Sequence, residues 1–123
     1  MKTKIIIMSI FSFIILGLAT NTWSQNIEDK RYVCMMQDSL QVKAGTPIEI
    51  SGNTYYGCCS MCAGKMKADP MKYTKAKDPV SGAAVDKTLA FIFGHEGSAY
   101  YFESEATRKQ FSNNPATYLE KSK

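Results

Sequence analysis

Gly52-Asn53-Thr54-Tyr55-Tyr56-Gly57-Cys58-Cys59-Ser60-Met61-Cys62 decides how this chain is read, because it returns without cysteines as Gly97-Ser98-Ala99-Tyr100-Tyr101-Phe102-Glu103-Ser104-Glu105-Ala106-Thr107. The offset is about 45 residues, and self-similarity at a fixed period marks one supersecondary unit used twice. The register runs on, so that Asp69-Pro70-Met71-Lys72-Tyr73 falls on Asn114-Pro115-Ala116-Thr117-Tyr118. Upstream, Tyr32-Val33-Cys34 falls on Pro79-Val80-Ser81 after a small gap. Cys34, Cys58 and Cys62 thereby become Ser81, Glu103 and Thr107 in the second copy.

Each copy predicts the same local structure. Ile48 and Ile50 alternate with Glu49 and Ser51, Gly52-Asn53 signals a turn, and Thr54-Tyr55-Tyr56 completes a β-hairpin. In the second copy Leu89 to Phe93 and Ala99 to Phe102 are the arms, and Gly94-His95-Glu96-Gly97 is the loop, which makes His95 a solvent-exposed loop residue. A helix follows in both. It begins at Cys59 or Ser60 and runs to about Ala68 in the first copy; in the second it is capped by Ser104 and runs to about Ser112. Asp69-Pro70 and Asn114-Pro115 then place a capping side chain before a proline, opening a second short helix. The expected fold is α+β, two β-hairpin/helix repeats packed as one small domain, because either repeat alone is too small to bury much surface without a metal or disulfide.

The start of the chain sets the compartment. Lys2 and Lys4 precede an apolar run from Ile5 through Leu18, and Thr22-Trp23-Ser24 supplies small residues where a signal peptidase reads. Residues 1–24 thus read as a secretory signal, 25–76 as the cysteine-bearing repeat and 77–123 as the cysteine-free one. The run is short for a membrane span and no stop-transfer pattern follows, so the mature chain is expected to be periplasmic or secreted, with no membrane span after cleavage. Removing Lys2 and Lys4 from 15 basic residues leaves 13 against 11 acidic, or +2. No concentrated basic face points to nucleic acid.

All four cysteines lie in the first copy, at Cys34, Cys58, Cys59 and Cys62. Cys58, Cys62 and Met66 stand four apart and so share a helix face at its N-terminal end. Comparison between the copies separates packing from chemistry. Met66 corresponds to Phe111, which has no ligating atom, so Met66 is a packing residue. Cys58 and Cys62 correspond to polar residues, so their positions do not simply demand small buried hydrophobes, and sulfur chemistry is the better explanation. Cys59 matches Ser104 and takes a capping position. Cys34 lies in the apolar segment Tyr32-Val33-Cys34-Met35-Met36, which can return as a strand beside the hairpin.

Together, Cys34, Gly52, Tyr55, Tyr56, Cys58, Cys62, Pro70 and Tyr73 form a pattern that resembles the TRASH/YHS family of small metal-binding modules. The second copy adds Asp78-Pro79-Val80-Ser81-Gly82, Tyr100-Tyr101-Phe102 and Asn114-Pro115-x-x-Tyr118, close to the YHS form of the same pattern. The resemblance covers nearly all of the mature chain. It implies a treble-clef-like module associated with heavy-metal trafficking, resistance or sensing. It further implies that Cys34, Cys58 and Cys62 are metal ligands, with the cysteine-free copy as their structural partner. Gly57 departs from the family's usual aromatic and leaves room beside Cys58, either opening the site or accommodating Cys59. The family's histidine has no clear counterpart.

Elementary chemistry agrees with that implication. A helix N-terminus favours thiolate over thiol and lowers the proton cost of metal binding. Three thiolates suit a soft ion, copper(I) ahead of zinc, since copper(I) also tolerates thioether from Met35, Met36 or Met61 while zinc needs a fourth ligand. The expected protein is a non-enzymatic metal carrier or buffer, whose partners are the metal ion and a donor or acceptor protein. Two alternatives stay open. Exported cysteines in even number can form a disulfide framework for an interaction module. Cys59-Ser60-Met61-Cys62 is also formally a redox C-x-x-C motif, although its surroundings lack the βαβ pattern of a thioredoxin-like fold.

Overall fold

The computed structural model describes residues 24–121; the secretory-signal assignment lies almost wholly outside them. Two hairpins built alike set the frame. In the first copy β4 (Thr46–Ile50) pairs with β5 (Asn53–Gly57), followed by α1 (Ser60–Ala68) and α2 (Pro70–Thr74). In the second, β8 (Phe91–His95) pairs with β9 (Ser98–Phe102), followed by α3 (Glu105–Asn113) and α4 (Pro115–Glu120). All of these boundaries but the last repeat at an offset of 45, and α4 runs one residue longer than α2.

The turns explain that regularity. Ser51 and Gly52 have φ of 52° and 82°, and Glu96 and Gly97 have 51° and 82°. Two left-handed residues in succession give the two-residue turn whose twist matches that of the strands it joins. This corrects both turn assignments. The first turn is Ser51-Gly52 rather than Gly52-Asn53, and the second is only Glu96-Gly97, because Gly94 and His95 belong to β8. His95 is consequently no exposed loop residue: its side chain is 14% exposed, lies against the Phe111 ring and pairs with Ser24 Oγ at 2.7 Å through Nδ1.

Shorter elements lock the copies together. Strand β1 (Ser24–Ile27) adds antiparallel to β8, while β2 (Val33–Cys34) pairs with β3 (Ser39–Leu40), and β3 in turn pairs with β9. The resulting five-stranded order is β1-β8-β9-β3-β2. The first copy's cysteine-bearing strand therefore belongs to the sheet built on the second copy's hairpin. A further pair, β6 (Lys75–Lys77) and β7 (Ala84–Asp86), joins the copies in sequence. The fold is a small mixed α+β domain, as the sequence predicts.

Its larger core contains Val33, Cys34, Met35, Ile48, Tyr55, Cys62 and Met66 together with Ile92 and Tyr101 from the second copy. A smaller cluster joins Phe93, Phe102 and Phe111. Met66 and Phe111 are both fully buried, so the packing role read from their correspondence holds. Among the described residues, no helix is long and apolar enough to cross a membrane.

Candidate metal centre

Three segments converge on one point. Cys34 ends β2 and is fully buried; directly after it the Met35 amide donates to the Tyr56 carbonyl at 2.8 Å, tying the following turn to β5. Cys58 follows the end of β5 and is exposed. Cys62 lies in the first turn of α1 and is fully buried. Cys62 Sγ stands 3.8 Å from Cys34 Sγ and 3.6 Å from Cys58 Sγ, and the three sulfurs lie within 4.8 Å of one another. Two thiolates on one tetrahedral zinc, each bonded at about 2.3 Å, stand about 3.8 Å apart. These three cysteines could hold a metal ion, and all are free thiols.

Gly57 makes that approach feasible, for a reason opposite to the one expected. A Cβ at Gly57 would lie 2.5 Å from Cys62 Cβ and 2.9 Å from Ile48 Cδ1. The missing side chain leaves no open space beside Cys58. Cys62, from the first turn of α1, and Ile48 fill that space instead. In the second copy this position is Phe102, fully buried, and its ring packs with Phe93 and Phe111.

Hydrogen bonds reveal what the second copy places at the same point. Asp78 is 1% exposed, and its Oδ1 accepts from the amides of Val80 at 2.7 Å and Ser81 at 3.1 Å. Oδ2 accepts from the Glu103 amide at 2.9 Å and the Thr107 hydroxyl at 2.7 Å. Cys34 has the matching partners: the amides of Gln37 and Cys58 and the thiols of Cys58 and Cys62. A left-handed residue closes each turn, Asp38 at φ 52° and Gly82 at φ 76°. The counterpart of Cys34 is therefore Asp78, not Ser81. Cys58 and Cys62 do correspond to Glu103 and Thr107.

Both positions are cradles for an anion. Burial pushes the Asp78 carboxyl up, but its four donors outweigh that and hold it below the usual carboxylate range. Burial likewise pushes the Cys34 thiol up, and the amides of Gln37 and Cys58 and the thiols of Cys58 and Cys62 bring it below the ordinary cysteine value. Cys58 moves the other way, pushed up to about 12, first because its S–H is engaged with Cys62 and Cys34, then by burial and by their negative charge. Proton loss is thereby eased at buried Cys34 and opposed at exposed Cys58.

The turn that carries Cys34 is held from the second copy by residues that no sequence motif marks. Lys87, 2% exposed, donates to the Met35 carbonyl at 2.6 Å and to Asp38 Oδ1 at 2.6 Å, and its ammonium lies 5.1 Å from the centre of the Tyr101 ring. The Tyr101 hydroxyl donates to the same carboxylate oxygen at 2.9 Å. Desolvation, then the negative charge of Asp38, raises the Tyr101 phenol above its ordinary value, so it stays a donor. A closer comparison of Asp38 with Gly82 in sequence would have signalled the left-handed turn; nothing local signals Lys87.

Cys59 is the N-cap of α1, as its match to Ser104 predicts, but it does not cap. Ser104 Oγ accepts from the Thr107 amide at 3.2 Å, whereas Cys59 makes no side-chain cap bond and its Sγ lies 3.7 Å from Cys62 Sγ. Of the methionines named for thioether assistance, Met35 is fully buried, Met36 partly buried and Met61 67% exposed. No protein-family model, curated protein or solved structure matches the chain, so the resemblance to TRASH/YHS modules rests on the motif residues themselves.

Proposed function

We propose that this is an exported, non-enzymatic TRASH/YHS-like protein that captures and passes on a soft metal ion, copper(I) first, through the thiolates of Cys34, Cys58 and Cys62. The observation that carries the reading is the convergence of these three sulfurs, two buried in apolar surroundings and one exposed. Apolar walls disfavour hard, strongly hydrated cations, and thiolates favour soft ones. The anion cradle around Cys34 lowers the proton cost of ligation. An exposed edge at Cys58 leaves a route for the ion to enter and leave, which suits a carrier better than a sealed structural site. The cysteine-free copy acts as the wall, since Lys87 and Tyr101 grip the turn after Cys34.

The test is anaerobic titration of the reduced protein with copper(I) against a chromogenic chelator, with mass detection and thiol counting. One bound equivalent with cysteine-dependent absorbance is expected, unaffected by excess magnesium. Cys34→Ser, Cys58→Ser and Cys62→Ser should each weaken binding by about 10- to 100-fold or more. Retained affinity in all three rejects the site. Protein purified without reductant that carries neither free thiols nor metal would instead favour the disulfide framework.

A second reading has its own observation. Cys59 Sγ stands as close to Cys62 as the other two sulfurs do, which supplies a candidate fourth thiolate for tetrahedral zinc. Tight zinc binding that protects all four thiols from alkylation would select it.

A further inference from the structure

Building on the thiolate-site reading, we propose that Cys59 is the exchange ligand of the centre: the sulfur that first receives copper(I) from a thiol-bearing donor and last holds it before a thiol-bearing acceptor. Three observations converge on Cys59. The first is a missing bond. Its backbone, at φ −159° and ψ 173°, is that of an ordinary N-cap and matches Ser104 at φ −148° and ψ 161°, yet only Ser104 makes the capping bond. Sulfur is a weak acceptor, so a cysteine here gives up the helix stabilisation that serine provides in the other copy.

The second is position. Cys62 Sγ has three sulfur neighbours, Cys34 at 3.8 Å, Cys58 at 3.6 Å and Cys59 at 3.7 Å, but Cys59 is not a member of the mutually close set of Cys34, Cys58 and Cys62. Cys62 is therefore shared between an inner trio and an outer neighbour, at separations one metal ion can bridge. The third is access. Cys34 and Cys62 are fully buried while Cys58 and Cys59 are exposed, so an incoming thiol meets the centre at the edge these two share, where Cys59 is the sulfur outside the inner trio.

The step is ligand substitution and moves no electrons. As copper(I) arrives, a Cys59 sulfur–copper bond forms and the donor's sulfur–copper bond breaks. The proton released by the Cys59 thiol ends, through solvent, on the departing donor thiolate. Copper then gains bonds to Cys62 and the inner sulfurs, whose remaining protons go to solvent, and Cys59 takes a proton back as its own bond breaks. Release to an acceptor runs the same sequence in reverse. Copper remains copper(I) throughout.

Cys59→Ser and Cys59→Ala separate the possibilities. Both should bind one copper(I) with affinity within about threefold of the parent, yet transfer it to glutathione or a chromogenic chelator about tenfold more slowly. Cys59→Ser should also raise the thermal midpoint of the reduced metal-free protein, because its hydroxyl restores the cap; Cys59→Ala should not. Unchanged transfer rates would make Cys59 a bystander and overturn the proposal. An affinity loss as large as that of Cys58→Ser would make it a resident ligand, with the same consequence. Failure of the parent protein itself to bind copper(I) would sink the underlying function and the exchange role together, an outcome distinct from normal binding with unchanged rates.

Discussion

Asp78 occupies in the second copy the place that Cys34 occupies in the first, each a buried acceptor held by the amides of its own turn and by the start of the following helix. Where the first copy gathers sulfurs, the second closes the same gap with a carboxylate that accepts from Glu103 N–H and Thr107 O–H. The carboxylate thus does for the second copy's folding what ligation would do for the first. Asp78→Ala leaves those donors buried without an acceptor and should destabilise the reduced metal-free protein by about 3 kcal/mol or more. Urea unfolding measures this. Glu103→Gln, by contrast, should leave copper stoichiometry unchanged, because Asp78 bonds the Glu103 backbone and the Glu103 side chain is exposed. A lost equivalent in that variant would make the carboxylate a ligand.

The correspondence of Cys34 with Asp78 was not legible because thiolate and carboxylate are alike as buried acceptors but unlike as residue letters. Hairpins, helix starts and prolines were legible, since alternation, caps and turns are local and appear twice. The role of Gly57 was legible only as an absence: sequence records the missing aromatic, while the position of α1 against Ile48 decides whether the space is open or filled. Lys87 and Asp38 meet across the two copies, and a single long-range ion pair leaves no periodic trace. The length of the second turn, and with it the burial of His95, depended on which residues took the left-handed conformation; Glu96 took it together with Gly97, while Gly94 stayed in β8 although glycine adopts it most readily.

Gly57→Ala should test the close approach of helix and hairpin. The added methyl would stand 2.5 Å from Cys62 Cβ, so the helix must move and carry its sulfur with it. Overpacking of this kind costs about 1 to 3 kcal/mol. Copper(I) affinity should fall together with metal-free stability, read by chelator competition and urea unfolding on the same samples. Unchanged affinity would show that Cys62 reaches the metal without the contact at Gly57.

Phe111→Ala addresses the aromatic cluster of the second copy. Its fully buried ring lies 5.1 Å from both Tyr100 and Phe102, and edge-on to Phe93 at 5.9 Å. Truncation should cost about 3 to 5 kcal/mol. Copper stoichiometry of the protein that remains folded should stay at one, which distinguishes support from ligation; a stoichiometry near zero in folded protein would tie this cluster directly to the site.

Asp86 links the copies and should set the acid limit of the fold. Its carboxylate accepts from the Tyr55 hydroxyl at 2.9 Å, the Thr88 hydroxyl at 2.7 Å, the Thr88 amide at 2.9 Å and Lys75 Nζ at 2.9 Å. Burial pushes the carboxyl up, but the Thr88 hydroxyl and Lys75, followed by the Thr88 amide and Tyr55, bring it down to about 2. Because the folded value lies below the unfolded one of about 3.9, protonation favours the unfolded chain. Its contribution, about 2 kcal/mol, is complete above the unfolded value and is lost as pH falls from about 4 towards 2. Urea midpoints of the reduced metal-free protein should therefore drop steeply through that window. Asp86→Asn should be less stable by about 2 kcal/mol at neutral pH and show a flatter acid limb; an equally steep limb in the variant would assign the acid sensitivity to other carboxylates, with Asp78 the first to examine.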